Sequence, residues 1–369
     1  MLVGIDGRPF HGALAGTGRY ITELCRALDL ALPEANFLVY GNGALALPVS
    51  GGRWRQRGGD SFLTSHSSPA QWYFLHAGKL ASKDGVDLFW GAANFLPLRL
   101  DPKIPAILTV YDLVYRLFPQ TLNWTHRLAY RLFFEKSLRR ARTVVAISQG
   151  TSDRLAELYG RGADLVIRPR AGALFSPPHQ ETIRAALLRY GVDFPYFLSV
   201  STLEPRKNLD TLIEAFLQLH AEGELSDMGL VIVGQQGWKN GRLLDALTRA
   251  RSVGVRIVQT GFVPDEWLPA LYAGATAVVM PSLYEGFGMP VLEAKCCNAR
   301  IVTSDIPEIR EAGGVGPIYV QPSVDGIKQG LRAAAMLPRG DDVPGPCIDR
   351  DATWENEGER LAHAIRSLA

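Results

Sequence analysis

Short apolar segments alternate with amphipathic ones along most of the chain, and this alternation predicts parallel β-strands joined by crossover helices. In the first half, the predicted strands span residues 2–6, 37–40, 86–90, 106–110 and 143–147. In the second half, they span residues 196–200, 230–233, 256–259, 277–280 and 300–303. Residues 41–68 are rich in Gly, Ser and Arg without a clear period, so we predict loop and irregular strand there.

Helical periodicity is clearest directly after Asn208. Leu209, Leu212, Ile213 and Phe216 lie at i, i+3, i+4 and i+7, which predicts a helix with one buried stripe. A second apolar stripe in the first half comprises Tyr130, Phe133, Phe134, Leu138 and Ala141, with Arg127, Arg131, Arg139 and Arg142 on another part of the surface. The last segment carries Leu361, Ala364 and Ile365 at helical spacing.

A chain of 369 residues is too long for one ordinary core, and two domains are the usual solution at this length. Pro169, Pro177, Pro178 and Pro195 surround a variable stretch that we interpret as the passage between domains. We predict a Rossmann-like domain over residues 1–175, a second one over residues 190–350, and a C-terminal helix within residues 351–369. That helix can pack against either domain, with the first one favoured.

The composition, 47% hydrophobic and 21% charged, is that of a globular protein rather than a disordered or fibrous one. We predict no secretory signal and no membrane span, because no apolar run approaches the roughly 20 residues that a span needs. Basic residues outnumber acidic ones up to residue 180, and the reverse holds afterwards. The four cysteines match neither a zinc pattern nor a disulfide framework, so we predict a reducing compartment, the cytoplasm.

The strongest chemical signal is the stretch 285–293, Glu-Gly-Phe-Gly-Met-Pro-Val-Leu-Glu, which follows the predicted strand 277–280. Pro290 suits the first turn of a helix, so Glu285 falls in the loop before that helix and Glu293 just inside it. Gly286, Phe287 and Gly288 form the loop, whose glycines let backbone NH groups approach a ligand closely. Carboxylates accept hydrogen bonds from sugar hydroxyls, whereas a helix amino terminus favours phosphate.

A second motif, Glu-Pro-Arg-Lys-Asn at residues 204–208, lies between the predicted strand 196–200 and the helix near Leu209. Ligands of open α/β sheets bind at the carboxyl ends of the strands. Arg206 and Lys207 can neutralise a diphosphate there, and more strongly as charge develops on a leaving group. A pair of solvated charges is the simpler alternative.

Four segments of the second half together resemble glycosyltransferase family 4, whose members have the GT-B fold and retain anomeric configuration. They are residues 201–208, residues 233–238 (Val-Gly-Gln-Gln-Gly-Trp), residues 261–264 (Gly-Phe-Val-Pro), and the stretch 285–293 with its Pro-Ser-Leu-Tyr lead at 281–284. The resemblance implies two Rossmann-like domains that face each other across a deep cleft. The tract from Tyr111 through residue 238 most resembles bacterial mannosyl- and rhamnosyltransferases of polysaccharide assembly.

The resemblance also implies roles for individual residues. Arg206 and Lys207 would hold the donor diphosphate, Glu285 would contact the transferred sugar, and Glu293 would contact the ribose. The remaining donor-binding candidates are Gly286, Phe287, Gly288, Gly234 and the base-binding loop at Phe262 and Val263. No metal is required, because the Arg-Lys pair performs the charge neutralisation that a divalent ion performs in other transferases.

The first half resembles the family less closely, as expected for a domain that binds varied acceptors. Gly16 and Gly18 open a predicted helix, so NH groups there can face the diphosphate. The third glycine of a dinucleotide fingerprint is missing, which argues against a nicotinamide site. Tyr111 and Asp112 follow the predicted strand 106–110, where many family members have His before the Asp. The phenol of Tyr111 can still donate a hydrogen bond to a sugar or phosphate oxygen.

These features predict a retaining, metal-independent hexosyltransferase without a cofactor, which moves mannose or a related sugar from a GDP-sugar. The predicted acceptor is a saccharide, free or linked to polyprenyl diphosphate, in bacterial surface polysaccharide biosynthesis. The basic first half also favours peripheral contact with an anionic membrane at the inner face of the cytoplasmic membrane. Nothing indicates nucleic-acid binding.

Other functions remain open at this point. A UDP-sugar can replace the GDP-sugar, because the residues of the base-binding loop do not reveal the base. A nucleotide-sugar epimerase shares the architecture without transferring a sugar to an acceptor. The Tyr at position 111 also allows a non-catalytic nucleotide-sugar-binding protein. The acceptor, the linkage and the oligomeric state are not encoded in any recognisable pattern.

Overall fold

The computed structural model describes residues 1–12, 16–58, 67–337 and 353–369. The chain divides into two compact units. Within the described residues, the first unit comprises 1–115, 124–170 and 353–369, and the second comprises 116–123 and 171–337. Residues 116–123 were predicted in the first domain but belong to the second unit.

The first unit contains a parallel sheet of seven strands in the order β3-β2-β1-β4-β5-β6-β7. The strands are β1 (Leu2–Asp6), β2 (Asn36–Tyr40), β3 (Trp54–Arg57), β4 (Leu88–Gly91), β5 (Ala106–Val110), β6 (Thr143–Ala146) and β7 (Leu165–Val166). The strand order reverses beside β1, and ligands of doubly wound sheets bind at such a switch point.

Among the described residues of the first unit, six helices lie between these strands or next to them, and a seventh follows near the carboxyl terminus. They are α1 (Gly16–Ala31), α2 (Pro69–Trp72), α3 (Gly78–Asp84), α4 (Val114–Leu117), α5 (Trp124–Arg140), α6 (Gln149–Tyr159) and α14 (Trp354–Arg366), with α4 at the boundary of the unit. Helix α14 packs against α1, because Gly358 leaves room for the backbone of Ala27. Arg170 and Arg360 both bind the buried carboxylate of Glu357. Arg360 belongs to α14 itself, so the ion pair with Arg170 is the one that ties this helix to the rest of the first unit.

The second unit contains a parallel sheet of six strands in the order β10-β9-β8-β11-β12-β13. The strands are β8 (Tyr196–Val200), β9 (Gly229–Val233), β10 (Ile257–Gly261), β11 (Ala277–Met280), β12 (Ile301–Ser304) and β13 (Ile318–Val320). The helices are α7 (Gln180–Arg189), α8 (Leu209–Ala221), α9 (Gly241–Ser252), α10 (Leu268–Gly274), α11 (Met289–Cys296), α12 (Pro307–Gly313) and α13 (Val324–Met336). The predicted α/β architecture with two Rossmann-like sheets is confirmed.

All ten predicted strands are present, with ends that shift by at most two residues. The helix after Asn208 is α8, and the four residues of its predicted stripe are buried in the core of the second unit. Strands β7 and β13 were not predicted, and β3 lies in the region where only loop and irregular strand, without bounds, were predicted. Strand β3 falls in residues 41–68, where it pairs with β2 at the edge of the sheet.

The cysteines differ in part from expectation. Cys25 and Cys297 are free and buried, but Cys296 takes part in a disulfide, so the prediction of no disulfide is wrong at this position. Cys347 lies outside the described residues. Among the helices that the structure describes, none is long and apolar enough to cross a membrane.

Candidate active site in the second unit

The basic pair lies in a tight turn at the carboxyl end of β8. Pro205–Lys207 form one turn of 3-10 helix, and Asn208 then adopts a left-handed conformation with φ 58° before α8 begins. The side-chain amide of Asn208 donates hydrogen bonds to the carbonyls of Pro281 at 3.1 Å and Pro322 at 3.0 Å. This turn is therefore fixed to the loops that follow β11 and β13.

Arg206, Lys207 and Glu285 form one cluster. Arg206 Nη1 donates to Oε2 of Glu285 at 2.8 Å, and Lys207 Nζ donates to Oε1 of the same carboxylate at 2.6 Å. Arg206 also donates to Glu204 at 2.5 Å and to the carbonyl of Tyr284 at 2.9 Å. The structure therefore brings the two cations and the first acid into direct contact, and their binding of a donor stays a prediction.

The cluster is nearly closed to solvent: the side chains of Arg206, Lys207 and Glu285 are 14%, 12% and 9% exposed. Burial alone would raise the pKa of Glu285, but Lys207, Arg206 and the hydroxyl of Ser282 stabilise its charged form and lower the pKa to about 2. Ser282 donates to the carboxylate at 2.7 Å. Glu285 is therefore an anion at neutral pH.

The loop between Glu285 and α11 has the backbone that the glycines predict. Gly288 has φ 107°, a value that side chains rarely adopt, and it caps the amino terminus of α11. Pro290 lies in the first turn of that helix, where no intrahelical partner is available for a backbone NH group. Gly286 and Phe287 are buried. The amino terminus of α11 therefore comes directly after the loop that carries Glu285, the acid of the cluster with Arg206 and Lys207.

Glu293 occupies a different environment from Glu285. It lies on α11, is only 1% exposed, and its Oε2 accepts a hydrogen bond from the hydroxyl of Tyr272 at 2.9 Å. This hydrogen bond connects α11 to α10. The structure brings Arg206, Lys207 and Glu285 together, and the role of Glu293 towards a ribose stays a prediction.

Glycines hold the loops after β8 and β9 against each other. Gly234 has φ 143°, and a Cβ atom there would lie 1.8 Å from the carbonyl oxygen of Ser201. Gly237 donates from its backbone NH to the carbonyl of Leu203 at 3.1 Å. The motifs at residues 201–208 and 233–238 therefore interlock by their backbones.

The predicted base-binding loop follows β10. Phe262 is 58% exposed there, whereas Val263 is buried. The loop begins at Gly261, whose carbonyl accepts a hydrogen bond from the backbone NH of Gly234 at 2.9 Å. The structure thus connects this loop to the glycine-rich one, and the contact of Phe262 and Val263 with a base stays a prediction.

The remaining site candidates belong to the first unit. Gly16 begins α1, and Gly18 is buried in its first turn. Tyr111 is buried, its ring packs edge-on against Tyr20 at 5.7 Å, and its hydroxyl has no hydrogen-bond partner among the described residues. Asp112 accepts a hydrogen bond from the backbone NH of Val114 at 3.2 Å and so caps α4.

Several residues of the cluster were not singled out from the sequence. Glu204 and Ser282 stand inside the quoted motifs, so their position was a usable signal. Tyr272 and Tyr284 carried no chemical signal, because an aromatic residue in an apolar stretch is most often core. Only the folded backbone reveals that Tyr272 binds Glu293 and that Tyr284 presents its carbonyl to Arg206.

Two Rossmann-like units, of which the second places two cations and a carboxylate at the carboxyl edge of its sheet, define the GT-B class of glycosyltransferases. Family models for "Glycosyl transferases group 1" and "Glycosyltransferase Family 4" match residues 179–335 and 14–171. The chain belongs to the glycosyltransferases of family 4 type, as the sequence resemblance implied.

Individual relatives agree with this assignment. O-antigen chain mannosyltransferase B of Escherichia coli is 28% identical over 379 residues, which cover 98% of each chain. A GDP-mannose-dependent alpha-(1-6)-phosphatidylinositol monomannoside mannosyltransferase of Mycolicibacterium smegmatis is 30% identical over 252 residues, 61% of this chain and 62% of the relative. The solved structure of Anabaena Alr3699/HepE with UDP-glucose has a TM-score of 0.67 at 17% identity, covering 100% and 97% of the two chains, and shows the shared fold.

Proposed function

We propose that this glycosyltransferase moves a hexose, with mannose favoured, from a GDP-sugar to a saccharide or polyprenyl-diphosphate-linked saccharide of a bacterial surface polysaccharide. The observation that carries the proposal is the buried cluster of Arg206, Lys207 and Glu285. Two cations fixed at the carboxyl end of a strand are suited to a diphosphate, and a carboxylate beside them is suited to sugar hydroxyls. The mannosyltransferase relatives support the choice of sugar and of acceptor class.

The proposed chemistry needs no cofactor and no metal. Arg206 and Lys207 stabilise the charge that develops on the leaving diphosphate as the bond from the anomeric carbon to the phosphate oxygen breaks. The acceptor hydroxyl forms the new bond on the face from which the diphosphate departs, so configuration is retained. Its proton passes to the departing phosphate oxygen. Glu285, an anion at neutral pH, orients the sugar through its hydroxyls.

Transfer assays of Arg206→Ala and Lys207→Ala test this proposal. The double variant should lose transfer by about two to four powers of ten, the scale expected when preorganised charge stabilisation is removed. Arg310→Ala, which removes an exposed cation paired with Asp305 in the same unit, is a matched control. Near-normal turnover of the double variant would overturn the assignment of the diphosphate site.

The donor and the stereochemistry need separate measurements. Calorimetric titration with GDP and UDP distinguishes the favoured donor from a UDP-sugar such as the one in the HepE complex. NMR of the product reports whether the anomeric configuration is retained. A product formed without acceptor would indicate an epimerase, and donor binding with neither transfer nor hydrolysis would indicate a binding protein.

Peripheral membrane contact is part of the proposal, and α5 supplies the surface for it. Trp124, Leu128 and Leu132 follow each other at four-residue spacing and are 73%, 46% and 46% exposed. Arg127 and Arg131 are exposed on the same helix. An exposed apolar stripe beside cations is suited to an anionic lipid surface. We propose that this surface rests on the inner face of the cytoplasmic membrane.

Vesicle sedimentation tests the membrane contact. The wild-type chain should sediment with phosphatidylglycerol vesicles, and Trp124→Ser with Leu128→Ser should weaken this binding by at least about tenfold because the apolar anchor is lost. Leu188→Ser, at an exposed position of the second unit, serves as control. Equal sedimentation of all three proteins would remove α5 from the proposal.

A further inference from the structure

Residues 116–123 pack in the second unit although the residues on both sides of them belong to the first. Their centre is the 3-10 turn Pro119–Thr121. Sequence order alone would place them with the first unit, because they run from the second half of α4 to the start of α5. Contacts from two separate loops of the second unit hold them there.

The first set of contacts comes from the loop after β9. Trp238 donates from Nε1 to the carbonyl of Thr121 at 2.6 Å. Lys239 donates from Nζ to the carbonyls of Gln120 and Leu122, both at 2.8 Å. Two adjacent side chains therefore bind three consecutive carbonyls. Two of these hydrogen bonds have the charged ammonium group of Lys239 as donor, which strengthens them.

Lys239 reaches these carbonyls from an unusual backbone conformation. Its φ is 55°, in the left-handed region that non-glycine residues seldom occupy. Such a conformation has an energetic cost, so it persists where surrounding contacts compensate for it. The two hydrogen bonds from Nζ to Gln120 and Leu122 are contacts of this kind.

The second contact leads to the candidate active site. The ring of Phe118 stacks on the ring of Tyr284, with centroids 5.9 Å apart and planes at 17°. Tyr284 gives its carbonyl to Arg206 Nη1, and the neighbouring Leu283 donates its NH to the carbonyl of Arg206 at 2.9 Å. The 116–123 segment thus touches the loop whose Tyr284 carbonyl binds the guanidinium of Arg206.

The segment is buried at Thr121 and Leu122 but borders open space on one side. A cavity of about 570 Å³ lies beside it, lined among others by Gln120, Thr121, Glu204, Asn208 and Lys239. Removal of one donor can therefore loosen the segment without opening the hydrophobic core of the second unit. A variant that lacks one donor can therefore test whether the segment positions the site without unfolding the protein.

We propose that Trp238 and Lys239 are positioning residues for the donor site: they fix the 116–123 segment, which through Phe118 and Tyr284 fixes Arg206. The inference rests on the proposed function, because it takes the guanidinium of Arg206 to be a group that binds the donor diphosphate. Neither residue needs to touch the donor. Their effect on catalysis passes through the Tyr284 carbonyl.

Lys239→Met tests the proposal, because it keeps the length of the side chain and removes its donors. We expect GDP binding, measured by calorimetry, to weaken by about five- to tenfold, and the donor KM to rise more than kcat falls. Lys239→Arg, which retains the donors, should restore binding to within about twofold of wild type. Arg251→Met, at an exposed position at the end of α9, should bind GDP like wild type.

Measurements in an Arg206→Ala protein distinguish a failure of the positioning role from a failure of the proposed diphosphate site. In an Arg206→Ala protein, Lys239→Met should weaken GDP binding no further, because two changes that act through one group are not additive. If Arg206→Ala itself leaves GDP binding unchanged, the proposed diphosphate site fails. If Arg206→Ala weakens binding but Lys239→Met does not, only the positioning role fails. If Lys239→Met acts equally in both backgrounds, its effect is general and the positioning role is likewise overturned.

Discussion

Lys207 donates a hydrogen bond from Nζ to Oε1 of Glu285 across 2.6 Å, and both side chains are largely buried. Arg206 binds the other oxygen of the same carboxylate. The two cations that are proposed to bind a diphosphate therefore have an internal anion as their partner. A diphosphate must compete with Glu285 for them, so the charge on Glu285 influences donor binding as well as turnover.

Replacement of Glu285 by Gln should separate binding from turnover. The neutral amide leaves more positive charge for a diphosphate, so we expect GDP to bind about three- to tenfold more tightly. Transfer should fall by about a hundredfold, because the sugar loses its charged partner. Calorimetry and initial rates measure the two effects, and Glu224→Gln, which removes an exposed partner of Arg332, is the control. Weaker GDP binding by Glu285→Gln would contradict the competition between carboxylate and diphosphate.

The stability of the protein should depend on Glu285 in acid. Its pKa is lowered from 4.5 to about 2 in the folded chain, so its stabilising effect is full above pH 4.5 and lost as the pH falls towards 2. The shift corresponds to about 3 kcal/mol at most, and more than half of it should be gone at about pH 3. Urea unfolding of wild type and Glu285→Gln between pH 6 and pH 3 measures this. A difference between the two proteins that stays constant over this range would refute it.

Gly234 and Gly254 both have a positive φ, but replacement by alanine should lower the free energy of unfolding by different amounts at the two positions. A Cβ at Gly234 would lie 1.8 Å from a backbone carbonyl oxygen, whereas one at Gly254, where φ is 74°, meets no atom within 4 Å. We expect Gly254→Ala to cost about 1 kcal/mol through conformation alone, and Gly234→Ala to cost at least about 3 kcal/mol or prevent folding. Thermal and urea unfolding compare them. Similar losses in both variants would show that the steric contact at Gly234 can relax.

Removal of the hydrogen bond from Tyr272 to Glu293 tests whether Glu293 takes part in donor binding. Tyr272→Phe removes a donor to a buried carboxylate, which should cost about 1–3 kcal/mol of unfolding free energy. If Glu293 binds the ribose, the donor KM should rise with little change in kcat. Tyr319→Phe, which removes a hydroxyl bonded to the carbonyl of Gly314, is the control. An unchanged KM would argue against contact between Glu293 and the donor.

Tyr111 provides a different kind of prediction, because its hydroxyl is buried without a partner among the described residues. Burial raises the pKa of this phenol well above its ordinary value, so the hydroxyl stays neutral. Tyr111→Phe should leave stability unchanged or raise it by up to about 1 kcal/mol. A transfer rate within about twofold of wild type is expected unless the hydroxyl meets a ligand. A loss of tenfold or more would place the phenol in the reaction.

The sequence predicted strands whose residues form continuous apolar runs, because strands buried on both faces leave that pattern. Strand β3, Trp-Arg-Gln-Arg, lies at the edge of its sheet with exposed polar residues, and β7 has only two residues, so neither leaves a recognisable pattern. In the site, charge and glycine spacing identified Arg206, Lys207 and Glu285. The partners Tyr272 and Phe118 were beyond prediction, because their roles depend on how distant segments pack.

Residues 116–123 lie inside the first half of the chain and pack in the second unit, which limits how related enzymes can exchange halves. A hybrid joined near residue 170 would take these residues from one parent and Trp238 and Lys239 from the other. Their hydrogen bonds would survive, since every parent supplies backbone carbonyls, but the stacked pair of Phe118 and Tyr284 would depend on the parents chosen. A hybrid enzyme should therefore keep the donor specificity of the parent that supplies its second half only when residues 116–123 come from the same parent.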